Sequence, residues 1–113
     1  EPCVLGGTAI SGIFDLEPMR HCYLNEKLGL DEATATRFSP IKLPALSGKT
    51  LDLFVGGAEL PAMQTQTIEF ARYRNNANAP GIFENLSGLN HYTILDEMAS
   101  AKGRILQSIK AHF

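Results

Sequence analysis

Residues 3–12 read Cys3-Val4-Leu5-Gly6-Gly7-Thr8-Ala9-Ile10-Ser11-Gly12. The run carries no charge and no strict apolar–polar alternation, so it fits a strand covered on both faces, as in a parallel sheet, that leaves at a glycine turn. Two further runs read as strands that end at glycine turns, although each carries charge. Residues 49–55 (KTLDLFV) stop at Gly56-Gly57, and residues 82–86 stop at Ser87-Gly88. Between the first two strands, residues 17–38 are mixed and helical, are interrupted at Gly29 and end at Ser39-Pro40, after which Pro40 and Pro44 mark an extended connection. Pro61 suits a first helical turn, residues 63–73 contain no breaker, and residues 75–81 (NNANAPG) read as a loop. Beyond the third strand, Ile94, Met98, Ala101, Ile105 and Ile109 form one apolar stripe, which predicts a long last helix with Thr93 as its N-cap and Asp96 and Glu97 in the first turn. The order strand, helices, strand, helix, strand, helix defines an α/β protein with three parallel strands.

The chain has 113 residues, one domain's worth, and 10 basic against 12 acidic side chains leave a net charge of −2. Such a surface has no cationic excess with which to neutralise phosphates, so no nucleic-acid partner is expected. Hydrophobic residues at 44% and charged residues at 19% match a folded globule. The longest stretch free of Asp, Glu, Lys and Arg, residues 2–14, includes three glycines and is shorter than the roughly 20 apolar residues of a membrane span, so no membrane partner is expected either. Two cysteines, Cys3 and Cys22, are too few for a disulfide framework and supply no recognisable metal set with the distant His21; both are expected to be reduced, one of them buried in a strand. No metal or organic cofactor is implied. No basic segment leads into an apolar run, so no signal peptide is visible and a cytoplasmic location is expected; the opening at Glu1 instead of Met suggests a piece of something longer.

Several motifs fail. Ser47-Gly48-Lys49-Thr50 resembles the end of a phosphate loop, but position 43 is Leu where that loop has Gly, and the segment precedes a strand instead of linking strand to helix. Glycines 6, 7 and 12 do not form G-x-G-x-x-G, and Asn85-Leu86-Ser87 is a chance sequon without a secretory signal. His21 and His112 lie in polar helical surroundings and read as surface residues. What survives sits on two loops at the carboxyl ends of strands, where α/β sheets collect functional groups. Glu59 follows the second strand and His91 the third. An acid and a histidine on adjacent loops, in that chain order, are the acid–base half of a hydrolytic triad, in which the histidine moves a proton and the carboxylate orients it. Asp52, inside a strand, and Asp96, inside a helix, are poorer acids for the role. A helix-start carboxylate and a solvated loop histidine are the plainer alternatives for Glu59 and His91.

The chain resembles the C-terminal third of the α/β-hydrolase family that includes arylformamidases (kynurenine formamidases) and related carboxylesterases. The resemblance is carried by residues 10–18 (ISGIFDLEP), Leu24-Asn25-Glu26, Leu30-Asp31-Glu32-Ala33, Ser39-Pro40, residues 53–59 (LFVGGAE), Gln66-Thr67, Glu69-Phe70-Ala71 and Asn90-His91-Tyr92. It implies a three-layer partial α/β-hydrolase fold, whose three strands correspond to the last three of the family sheet. It further implies that Glu59 is the triad acid and His91 the triad base. Glu stands here where Asp is commoner in the wider superfamily.

No G-x-S-x-G occurs, and Ser11, Ser47 and Ser87 all lack the flanking glycines. The resemblance puts that elbow and the oxyanion-hole segment upstream of residue 1. Residues 1–113 are therefore expected to be the C-terminal portion of a hydrolase acting on carboxylic esters or N-formyl amides, inactive alone. The alternative is a noncatalytic α/β module that associates through an open sheet edge. Either way, a first strand lacking its upstream neighbour should pair with another copy or with the missing N-terminal portion.

Overall fold

The computed structural model describes residues 3–46 and 48–113. Ser47 thus lies outside the described residues. Gly48 and Lys49 lead directly into a strand, as the failed phosphate-loop reading requires. The chain divides into two compact units, one of residues 1–12 and 45–113 and the other of residues 13–44.

The larger unit is built on strands β1 (Gly6–Ile10), β2 (Thr50–Gly56) and β3 (Phe83–Leu86) in the order β1-β2-β3, all parallel. The register pairs Gly6 with Thr50 through Ile10 with Phe54, and Leu53 with Phe83 through Gly56 with Leu86. Helix α3 (Pro61–Asn76) makes the crossover from β2 to β3 and packs on β2. Alternation along β2 sends Phe54 to the opposite face, where it is fully buried with Ile94 and Ile105 and flanked by Ile10, Leu86, Leu89 and Ile109. Helix α5 (Arg104–Ala111) supplies Ile105 and Ile109 to that cluster. The result is two helical layers around a parallel sheet. Buried Arg74, near the end of α3, donates from Nη2 to the carbonyls of Lys49 (3.2 Å) and Pro80 (3.0 Å), tying the helix end to the starts of the neighbouring strands.

In the smaller unit a 3₁₀ turn (Glu17–His21) is followed by α1 (Asn25–Leu28), α2 (Glu32–Phe38) and a second 3₁₀ turn (Pro40–Lys42). Gly29, at φ 64°, ends α1 in the left-handed conformation that glycine adopts without steric cost. Asp31 caps α2 by accepting from the Thr34 amide at 2.7 Å. Ser39 accepts from the Leu16 amide at 2.7 Å and donates to the Ala35 carbonyl at 2.6 Å. The connection after Ser39 is thus a 3₁₀ turn where the prolines had predicted extended chain.

Five other expectations are corrected. The long last helix is broken into a 3₁₀ turn (Thr93–Leu95), α4 (Asp96–Ala99) and α5. The chain turns at residues 100–103, where Gly103 approaches so closely that a Cβ would collide with the Glu97 carbonyl. Thr93 is not the N-cap: Asn90 Oδ1 accepts from the amides of Tyr92 and Thr93, both at 2.9 Å. Strand β1 is half-buried along its length and Cys3, Val4 and Leu5 are exposed, because among the described residues β1 has a strand neighbour on one side only. Cys22 is partly exposed, so neither thiol is a core residue.

The fifth correction is His112, whose side chain is only 13% exposed. It lies over the sheet with Nε2 3.5 Å from both Asp52 Oδ2 and Thr8 Oγ1. Buried Ser108, one turn earlier on α5, donates to Asp52 Oδ2 at 2.5 Å, and the Ile82 amide donates to Oδ1 at 3.0 Å. His21, by contrast, is a surface residue beside Glu17. No helix among the described residues is long and apolar enough to cross a membrane, and no group of three or more His, Cys, Asp or Glu among them could hold a metal ion.

Phe54→Ala removes the largest fully buried side chain. It should lower unfolding free energy by about 3–5 kcal/mol in urea titrations, whereas Phe113→Ala, at a position 95% exposed, should stay within about 0.5 kcal/mol of wild type.

Candidate active site

The parallel register brings the carboxyl ends of all three strands to one rim. Ser11 follows β1, the turn 57–59 follows β2, and the loop 87–92 follows β3. These segments interlock through the backbone. The Gly57 amide donates to the Leu86 carbonyl at 2.8 Å and the Ala58 amide to Leu89 at 3.0 Å. Gly56 is glycine because a Cβ there would run into the Leu89 carbonyl. The turn after β2 is therefore pressed against the loop that carries His91.

Glu59 and His91 meet. Glu59 Oε1 lies 2.8 Å from His91 Nδ1, with the Glu59 side chain 0% exposed and that of His91 58% exposed. The other carboxylate oxygen, Oε2, accepts from the Gly56 amide at 2.6 Å and from the Ser11 hydroxyl at 2.6 Å. Burial pushes the Glu59 carboxyl up, but the hydrogen bonds from Ser11, Gly56 and His91 and the nearby imidazole outweigh it and hold the group below the usual carboxylate range. The carboxylate is thus kept ionised, with one oxygen occupied by fixed donors and the other turned to the ring. The backbone at Glu59 is held further by Gln64, whose side-chain amide donates to the Glu59 main-chain carbonyl at 2.9 Å.

The histidine side opens on a cleft of about 420 Å³. Leu60, Met63 and Tyr92 form its apolar walls, and Tyr92 stands edge-on to the His91 ring at 5.8 Å between centroids. Ionised acid, imidazole and apolar cleft together form an arrangement that can accept a proton at the ring nitrogen facing away from Glu59 and stabilise the resulting cation. Asp52 takes no part, being committed to Ser108 and the Ile82 amide on the α5 side of the sheet, and Asp96 is exposed at the start of α4.

Ser11 is the site residue that sequence reasoning missed. Read as a nucleophile it fails for want of flanking glycines; its role in the structure is as a donor to Glu59. It has φ +51°, a left-handed conformation that costs a residue with a Cβ about 1–2 kcal/mol. A small hydroxyl residue at the end of a strand, facing an acid at the end of the next, was the available signal.

No family model matches the chain. It is 29% identical over 102 residues to the kynurenine formamidase of Danio rerio, covering 86% of this chain and 35% of that protein. Against the kynurenine formamidase of Salmo salar it is 27% identical over 114 aligned positions, covering 94% of this chain and 38% of that protein. The chain thus spans little more than a third of the length of the curated relatives it matches. A crystal structure from Silicibacter sp. of a protein provisionally named a thioesterase superposes with a TM-score of 0.83 at 23% identity, over 93% of this chain and 38% of that one.

Because the paired Glu59 carboxylate is ionised below its usual range, it stabilises the fold at neutral pH, and that contribution is lost as pH falls through the depressed value. Thermal unfolding should show a melting temperature that drops as the pH goes below about 4, and Glu59→Gln should flatten that acid limb while lowering stability at neutral pH. In sequence the chain is similar to the kynurenine formamidases of two fishes, and its sheet forms part of an α/β-hydrolase fold.

Proposed function

We propose that the chain is the C-terminal portion of a serine hydrolase acting on carboxylic esters or N-formyl amides, in which Glu59 and His91 are the acid and base of a Ser-His-Glu triad. The observation that carries this reading is the 2.8 Å contact between a fully buried, ionised Glu59 and a half-exposed His91. The kinship with kynurenine formamidases supports the substrate class. The nucleophile belongs to a segment outside these residues, since no G-x-S-x-G occurs among them.

In the complete protein, the serine hydroxyl attacks the substrate carbonyl as His91 takes its proton. Glu59 holds the ring by the other nitrogen and stabilises the imidazolium. The imidazolium returns the proton to the departing alcohol or amine, leaving an acyl-serine. Water, deprotonated by the same ring, then releases the acid and restores the serine. Leu60, Met63 and Tyr92 offer apolar surface to the part of the substrate nearest His91.

The decisive experiment compares hydrolysis of an activated aryl ester and of N-formylkynurenine by the 113-residue chain and by the longer protein that contains it. The chain alone should be inactive. In the longer protein His91→Ala should lower kcat/KM by about 10³-fold or more. Full activity of that variant overturns the triad.

The same reading assigns β1 a strand partner from outside the chain. Its outer edge has no neighbour among the described residues, and Val4 and Leu5 before it are exposed. Light scattering of the isolated chain should give a concentration-dependent mass above 12.3 kDa; a constant mass of 12.3 kDa overturns the pairing.

A further inference from the structure

We infer that Ser11 is a positioning residue for the proton relay, acting on His91 through Glu59. The inference deepens the triad reading and rests on it. Glutamate has one more rotatable bond than aspartate, so a glutamate serving as the acid must be immobilised before it can orient a ring. Here the two carboxylate oxygens are divided. Oε2 is held by the Gly56 amide and the Ser11 hydroxyl, each at 2.6 Å, which leaves Oε1 for His91 Nδ1 at 2.8 Å. The Gly56 amide belongs to the same turn as Glu59 and would follow it if the turn shifted. Ser11 comes from a different strand and gives the carboxylate an independent anchor.

The backbone at Ser11 supports this role. Its amide still continues the sheet ladder, donating to the Phe54 carbonyl at 2.8 Å, while its φ of +51° is one that glycine would adopt more easily. Glycine at this position would relieve the strain but would have no hydroxyl to offer. The strained serine is therefore accounted for by its side chain, which is buried and aimed at Glu59.

The test follows the Glu59 carboxyl and His91 ring resonances against pH by NMR in the 113-residue chain and in Ser11→Ala and Ser11→Gly, with kcat and KM measured for the same variants of the longer protein. Both variants should raise the Glu59 titration midpoint by about one pH unit or more and lower kcat by about 10- to 100-fold with KM little changed, the acid limb of the kcat profile moving up with Glu59. Ser11→Gly removes the backbone strain as well as the hydroxyl, so agreement between the two variants separates loss of the donor from damage to the fold. An unchanged Glu59 midpoint and an unchanged kcat in Ser11→Gly overturn the inference. If His91→Ala is inactive while Ser11→Gly matches wild type, only the positioning role fails; if His91→Ala is fully active, the triad itself fails, whatever Ser11 does to Glu59.

Discussion

A carboxylate withdrawn from water must be given donors in place of the solvent it has lost, and Glu59 has three. A buried, unpartnered charge would cost several kcal/mol, whereas each hydrogen bond to a charged group returns about 1.5–3 kcal/mol. The Gly56 amide, the Ser11 hydroxyl and His91 together hold the group ionised inside the rim of the sheet. Each donor comes from a different connection: the turn after β2, the exit from β1 and the loop after β3. The rim is thus organised around one anion.

The parallel arrangement makes that convergence possible. Ile10 pairs with Phe54 and Leu86 with Gly56, so all three strands finish within a few residues of one another. Antiparallel pairing would have sent one of these loops to the far end. Close approach then depends on residues without side chains: Gly56 admits the Leu89 carbonyl, and this contact sets the loop carrying His91 beside the turn carrying Glu59.

Much of this was legible in the residues. The glycine-terminated apolar runs marked β2 and β3, Pro61 marked the start of α3, and the acid and histidine on successive loops were visible as a pair. What was hidden depends on contacts distant in sequence. The apolar stripe from Ile94 to Ile109 keeps a helical period across a real break, and only Gly103 hints at the turn. Burial of β1 depends on which strands flank it, which the run of residues 3–12 does not encode. Ser11 lacks the flanking glycines of a nucleophile elbow, and its role as a donor is hidden because its partner lies 48 residues away. His112 looked solvated in a polar C-terminal segment, yet α5 folds it back over Asp52.

That last cluster constrains how the final helix can sit. Ser108 on α5 and His112, the residue that caps its C-terminus, are one helical turn apart, and both engage groups that rise from the middle of two strands, Asp52 and Thr8. Greasy contacts such as those of Ile105 tolerate sliding and rotation, but a submerged acid does not. Turning α5 about its axis by one residue would carry Ser108 away and strand Asp52 with a single amide, so the polar knot acts as a keyway that admits the helix in one setting only.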